Sequence, residues 1–357
     1  MKKGIGRPVF AHLDYDKAPL LVIWETTRSC ALACRHCRAE AMLGRNPGEL
    51  TTEEGRRLLD QTAAMGTPIC ILSGGDPLNR PDLAELIRYG KEIGLRMGTI
   101  PAATEKLTKD RIFSLKEAGV DQIAFSLDAS GAVDHDNFRQ VRGAYEKTMA
   151  GIGYAKEAGI PIQINTCFGA WNIGKLEEMI ELVSGLGIVF WEVFFLVPTG
   201  RGSDMDGITA QEFEMVFERL HRLSRGVDFH VKLTEAQHFK RYSLKDGSNI
   251  RDARGGPAVN SGKGFMFVDH VGDICPSGFL PLVAGNIRKQ ELGDVYRDSK
   301  IFRELRDPAL LKGKCGACEY RSSCAGSRAR AYAVTGDYLA EDPYCNYMPK
   351  QNLSAAR

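Results

Sequence analysis

Cys30, Cys34 and Cys37 stand as C-x3-C-x2-C inside WETTRSCALACRHCRAEA. Thiolates are soft ligands, and clustered thiolates suit zinc or iron–sulfur centres. Four of them complete a tetrahedral zinc site or a [4Fe–4S] cube. Only three stand here, and the next cysteine is Cys70. A cube held by three cysteines leaves one iron open, and an open iron can bind and activate a small molecule. The apolar run Leu20 to Trp24 just ahead reads as a short buried strand. The three thiols are therefore placed on a loop leaving a strand's carboxyl end. A zinc knuckle would show paired C-x2-C units, which this segment lacks. His36 is a ligand type too, but it is wedged between Cys34 and Cys37.

The next apolar run closes on ILSGGDPL. Alone, Gly74-Gly75-Asp76-Pro77 is a common turn whose glycines allow a backbone to approach a ligand closely. After C-x3-C-x2-C, and in this order, it resembles the radical S-adenosylmethionine (radical SAM) superfamily. The resemblance implies that the open iron chelates the amino and carboxylate groups of SAM. The reduced cluster then cleaves SAM to a 5′-deoxyadenosyl radical. It implies that Gly74, Gly75, Asp76 and Pro77 border SAM's amino group, with Asp76 where the family usually has Glu. Polar groups at later strand ends would hold the ribose and carboxylate. Ser126 in FSLDA and Asn165 in IQINTCF are the candidates, with plain strand-end polarity as the alternative. Arg201 in FFLVPTGRG is a candidate for a carboxylate partner, or a surface arginine.

Cys315, Cys318 and Cys324 stand as C-x2-C-x5-C, and Cys345 follows. This resembles the SPASM extension of radical SAM enzymes, which in full binds two auxiliary [4Fe–4S] clusters. Gln290 and Arg328 occupy two positions where that pattern has cysteine. Both belong to the first auxiliary site. The four cysteines that remain are the complete set for the second, so one auxiliary [4Fe–4S] cluster is expected. Cys275 is left over, free or an unconventional ligand. Structural zinc is the alternative for the quartet. Cys70 and Cys167, alone in strands, read as small buried thiols.

Strand-like runs at 20–25, 68–73, 95–100, 120–127, 160–168 and 188–197 alternate with helical stretches at 52–65, 81–93, 108–118, 136–158 and 173–186. Gly66, Gly94, Gly119, Gly159 and Gly187 each follow a helix and precede a strand, which is the C-terminal glycine signal. Such alternation implies a parallel sheet. Six strands suit the partial (β/α)6 TIM-like barrel of radical SAM enzymes, with a doubly wound sheet as the α/β alternative. Either way chemistry belongs at the strands' carboxyl ends. Met97 and Thr99 are read as core. Beyond Arg201 the pattern predicts a helix at 209–225, a strand at 227–234 and a hairpin turning at Val271-Gly272-Asp273. A helix is predicted at 291–306. The domains expected are an extension at 1–19, the barrel at 20–205, a linker helix and loop at 206–263, and a SPASM/twitch-like auxiliary-cluster domain at 264–357. The polar segment 236–263 is a candidate lid.

The chain has 357 residues, 43% hydrophobic and 26% charged, with net charge +2. A near-neutral balance gives no footing for nucleic acid. No run is long and apolar enough for a membrane helix, and the first twenty residues hold no signal-peptide core. A cytoplasmic location is expected. Ten cysteines, seven of them clustered at metal-ligand spacing, then point to metal rather than disulfides.

HLDYDKAPLLVIWETTRSCALACRHCRAEA, with SGGDPL and FFLVPTGRG, resembles the branch serving heme d1 synthesis and the siroheme-dependent heme pathway. That implies removal or oxidation of acetate or propionate side chains on a carboxylated tetrapyrrole. An external electron donor such as ferredoxin or flavodoxin is implied as well. Arg201, Lys240, Arg241, Arg251, Arg254 and Lys263 are basic groups that could meet such carboxylates, or a solvated basic loop. His230, His238 and His270 are possible ligands to a porphyrin iron, or structural histidines. The alternatives are a peptide-modifying SPASM maturase and a non-catalytic iron–sulfur electron carrier. Only 19 residues precede the first strand, which weakens the peptide reading. The SAM-contacting motifs speak against the carrier.

Overall fold

The computed structural model describes residues 13–245 and 259–350. Strands β1 (Leu21–Glu25), β2 (Ile69–Ser73), β3 (Arg96–Thr99), β4 (Gln122–Ser126), β5 (Ile162–Phe168) and β6 (Phe190–Phe195) lie side by side in chain order. Each runs parallel to the next. Parallel neighbours need crossovers. Helices α1 (Thr52–Ala64), α2 (Leu83–Glu92), α3 (Lys109–Glu117), α4 (Ala132–Arg139), α5 (Ala144–Glu157) and α6 (Leu176–Gly185) supply them. The strand order never reverses, so the sheet is the partial barrel and not a doubly wound one. The five glycines that close helices all have positive φ, between 60° and 90°.

Strand alternation gives the sheet two different faces. Val22, Trp24, Cys70, Leu72, Ile123 and Phe125 point outward into one core with Leu58, Leu59, Leu86 and Ile87 of the helices. Met97 and Thr99 are buried, and Thr99 Oγ1 donates to the Leu72 carbonyl (2.8 Å). The inner face carries a smaller apolar cluster that includes Leu21, Ile23, Ile69, Ile71 and Phe265.

The sheet exceeds the six strands expected. After α7 (Ala210–Ser224), β7 (His230–Thr234) adds parallel to β6. The hairpin of β8 (Phe265–Val268) and β9 (Asp273–Cys275) turns through Gly272, and β8 pairs parallel with β1. Among the described residues, β10 (Gly285–Asn286) completes a ten-stranded sheet. The chain after β6 therefore extends both edges of the barrel's sheet.

Two helices expected to be continuous are broken. The stretch 136–158 splits into α4 and α5 at Gln140 and Gly143, both at positive φ. Asp136 caps the restart, accepting from the Gly143 and Tyr145 amides (2.5 and 2.8 Å). The stretch 291–306 splits into α9 (Leu292–Asp298) and α10 (Lys300–Arg306), following the short α8 (Lys240–Lys245), because Ser299 is extended (ψ 140°).

The C-terminal part closes with α11 (Gly313–Ala317) and α12 (Arg328–Thr335). It is held to the barrel edge by buried polar groups. Arg330, fully buried, donates to the Glu235 carbonyl and to the Asp342 carboxylate (3.3 Å). Ser327 bonds the Glu235 carboxylate. Arg330→Ala strands a buried Asp342 and is expected to cost about 3–5 kcal/mol. A lowered thermal unfolding midpoint is the readout.

Candidate active site

The segment after β1 runs along the end of β2. The Thr26 amide donates to the Ser73 carbonyl (2.8 Å), the Gly75 amide to Thr27 O (2.6 Å) and the Asp76 amide to Ser29 O (2.7 Å). The approach is too close for a side chain. A Cβ at Gly75 would lie 2.5 Å from Ser29 O and 2.7 Å from Arg28 O, and one at Gly74 2.6 Å from Thr27 O. Pro77 opens a single 3-10 turn, Pro77–Asn79, and Asn79 Nδ2 donates to Ser29 O (2.9 Å). The Asp76 carboxylate is fully buried. It accepts from Thr104 Oγ1 (2.6 Å) and the Leu78 amide (3.1 Å).

The next turn carries Cys30 and Cys34, both buried, and the half-buried Cys37. Three later loops converge on it. From the β4 side, the broken end of α4 offers carbonyls: the Ala33 amide donates to Arg139 O (3.3 Å) and the Arg35 amide to Phe138 O (3.1 Å). The Arg139 guanidinium donates to Cys34 Sγ (3.4 Å) and to Asp128. His36 stacks on Phe138 (4.5 Å), and Phe138 on Trp171 in the loop after β5 (4.9 Å). From the β6 side, Arg201 Nε donates to Cys34 O (3.0 Å) and Nη1 to Ala41 O (3.3 Å). Gly200 sits against the same loop; a Cβ there would be 2.7 Å from Cys37 O.

Ser126, the last residue of β4, is the register partner of Asn165, which lies in the middle of β5 and not at the strand end expected. Asn165 Oδ1 accepts from Gln163 (2.7 Å), and Gln163 also reaches Glu192 (2.9 Å). Lys232 and Thr234 of β7 bond Glu192 in turn (2.7 and 2.6 Å). Thr166 faces outward, bonded to Leu127 O and Trp191. On the β1 side, the buried Glu25 carboxylate accepts from Arg28 (2.9 Å) and Arg38 (2.8 Å), with His270 Nδ1 at 3.4 Å. Burial alone would raise Glu25, but Arg38, His270 and Arg28 hold it at about 2.

Cys315, Cys318, Cys324 and Cys345 line one cavity, together with His238 and Arg241. Backbone amides already point at sulfur. The Asp342 amide donates to Cys315 Sγ and the Gly326 amide to Cys324 Sγ, each at 3.4 Å. Arg328, at a position where the SPASM pattern has cysteine, is fully buried. It donates to the Tyr338 and Ala340 carbonyls and approaches Cys315 Sγ at 3.6 Å. Cys275 lies elsewhere, buried on β9 opposite Phe267. Burial pushes Cys30 and Cys275 up to about 12 and Cys345 to about 11. Among the described residues, no group of three or more His, Cys, Asp or Glu closes on a single-ion site.

Several basic and histidine candidates are engaged within the protein. Arg201 grips the cysteine loop, and Arg241 is buried against Glu214 and the His238 carbonyl. His238 is buried among Phe213 and Phe217, and His270 touches Asn46 (3.2 Å). His230 is exposed at the start of β7, and Lys263 reaches Ser322 O (3.3 Å). Arg251 and Arg254 lie outside the described residues, as does the middle of the candidate lid, 246–258. Arg139 and Glu25 were not singled out from the sequence. Gly143 inside a helical pattern was the available signal, since an internal glycine marks a possible C-cap.

A barrel whose strand-end loops converge on three cysteines defines a class. The Radical SAM superfamily model matches residues 24–183. An AdoMet-dependent heme synthase of Methanosarcina barkeri is 43% identical over 341 residues, covering 93% of this chain and 97% of that protein. An AdoMet-dependent heme synthase of Oleidesulfovibrio alaskensis is 40% identical, covering 96% and 91%. Streptococcus suis SuiB bound to S-adenosylmethionine has the same fold, with a TM-score of 0.74 at 17% identity over 93% of this chain and 78% of that one. The chain belongs to the radical SAM superfamily. Its relatives place it in the heme-related branch, and it is an enzyme that uses SAM and an iron–sulfur cluster. No helix among the described residues is long and apolar enough to cross a membrane.

Proposed function

We propose that the enzyme oxidatively decarboxylates propionate side chains of an iron-coproporphyrin-like substrate, giving vinyl groups. The observation that carries this reading is the likeness, along nearly the whole chain, to proteins named heme synthases. The thiols of Cys30, Cys34 and Cys37 hold a [4Fe–4S] cluster that, with SAM bound, supplies the 5′-deoxyadenosyl radical. Support comes from the packing of the loop. Buried thiols favour protonation, so ionised sulfur there needs a bound cation and directed N–H groups. The Leu32 amide and Arg139 already donate to Cys30 and Cys34 sulfur (3.4 Å each).

Gly74 and Gly75 bring the β2 end against this loop, leaving Ser126 at the end of β4 and its neighbour Asn165 within β5 for SAM's polar groups. Arg201 fixes the loop through Nε and Nη1, while its buried Nη2 has no hydrogen-bond partner among the described residues. Arg28 and Arg38, oriented by Glu25 at the end of β1, are cations offered to substrate carboxylates. Each side chain loses one hydrogen atom to the radical, one carbon dioxide and one electron. The cavity of Cys315, Cys318, Cys324 and Cys345 holds one auxiliary [4Fe–4S] cluster that can take that electron. Ferredoxin or flavodoxin supplies the reducing electron.

Anaerobic incubation with SAM, dithionite and iron-coproporphyrin tests the proposal. Substrate-stimulated 5′-deoxyadenosine and loss of carbon dioxide plus two hydrogens per side chain are expected. Unchanged porphyrin with intact clusters would sink it and favour a peptide substrate. Gly75→Ala gives a separate check. Overpacking of about 1–3 kcal/mol against Ser29 and Arg28 carbonyls shifts the cysteine loop. SAM binding, measured anaerobically, is expected to weaken roughly tenfold or more.

A further inference from the structure

Arg139 and Asp128 form a buried pair whose guanidinium ends on a cluster-loop thiol. We propose that this pair sets the reduction potential of the SAM-cleaving cluster, with Arg139 as the tuning donor and Asp128 as its positioning residue. The inference rests on the proposed ligation by Cys30, Cys34 and Cys37.

Asp128 sits just past β4 and is almost wholly buried. Its position is fixed from three sides. One carboxylate oxygen accepts from the Cys167 amide (2.8 Å), its amide meets His135 Nδ1 (3.2 Å), and its carbonyl accepts from Asn172 (3.0 Å). The other carboxylate oxygen takes Arg139 Nη2. That leaves Nη1 aimed at Cys34 Sγ, 3.4 Å away. Arg139 is the last residue of α4, and its own carbonyl accepts from the Ala33 amide in the cysteine loop (3.3 Å). Backbone and side chain of one residue thus grip the loop together, and the helix break at Gln140 is what turns both toward it.

A cationic donor on a ligand sulfur stabilises the reduced, more negative state of an iron–sulfur cluster, and hydrogen bonds and net charge are the protein's levers on potential. Asp128 offsets part of that charge. The two residues therefore act in opposite directions on potential while sharing one contact. A purely structural pair would not do this, because loosening either end would disturb the loop alike.

The test is an EPR-monitored redox titration of the anaerobic, iron-replete protein without SAM. In R139Q the midpoint is expected to fall by about 59 mV or more, a tenfold shift in a one-electron equilibrium. In D128N it is expected to rise. R139K keeps the charge without the fork and is expected to lie between R139Q and wild type. Should R139Q fail to retain iron, D128N and R139K decide the matter by the same signs. Unchanged midpoints at full iron content, or shifts of D128N and R139Q in the same direction, overturn the proposal. Wild-type protein without a SAM-perturbed cluster signal would instead overturn the ligation reading on which it rests.

Discussion

Replacing Cys30, Cys34 and Cys37 together by alanine is expected to remove about half of the iron and all SAM cleavage. Two cubes of the type thiolates build carry about eight irons between them. The triple variant should keep about four, with the auxiliary signal intact. The loop loses the Leu32 amide bond to Cys30 sulfur but keeps its main-chain ties. The Thr27–Gly75, Ser29–Asp76, Arg139–Ala33 and Cys37–Arg201 backbone bonds involve no sulfur. The C-terminal cavity is built from other segments, with its own Asp342 and Gly326 amides on sulfur. Iron analysis and EPR after anaerobic preparation, beside a deoxyadenosine assay, give the readout. Retained SAM cleavage in the triple variant would overturn the central assignment.

The elements that could be read from the sequence were those with local signals. Each barrel strand is a short apolar run, and a glycine at positive φ stops the helix before it, so β2 to β6 were visible in outline. The parallel pairing of β8 with β1 was not, because it joins residues far apart in the chain and leaves no local pattern. Nor was the break between α4 and α5. Its cause is tertiary: Asp136 caps the second helix, and the freed carbonyls of Phe138 and Arg139 serve the cysteine loop.

The candidate site divides the same way. Cysteine spacing is a one-dimensional signal and placed the loop and the quartet. The partners of buried arginines are not. Arg201 and Arg241, expected as possible carboxylate receptors, are taken up by Cys34 and Ala41 carbonyls and by Glu214. Arg139, an ordinary residue in HDNFR, reaches a thiol 105 positions away.

Cys318→Ala is expected to lose the auxiliary cluster, while Cys275→Ala keeps the full iron count. Cys318 shares a cavity with Cys315, Cys324 and Cys345, and Cys275 is not on its wall. Removing one thiolate from a four-thiolate site exposes an iron and couples the loss to local unfolding. The loss should spread, because the segments carrying these cysteines have little apolar core of their own; α11 has no buried residue. Cys275 instead lies opposite Phe267 in the β8–β9 ladder, where Ile274 beside it fills the core. Its loss removes only packing, roughly 1 kcal/mol for one small group. Burial holds its thiol up at about 12, and the nearby Asp269 and Asp273 carboxylates push the same way. Iron per chain and the auxiliary EPR signal separate the two variants. Equal iron loss in both would make Cys275 a ligand and return the first auxiliary site that Gln290 and Arg328 argue against.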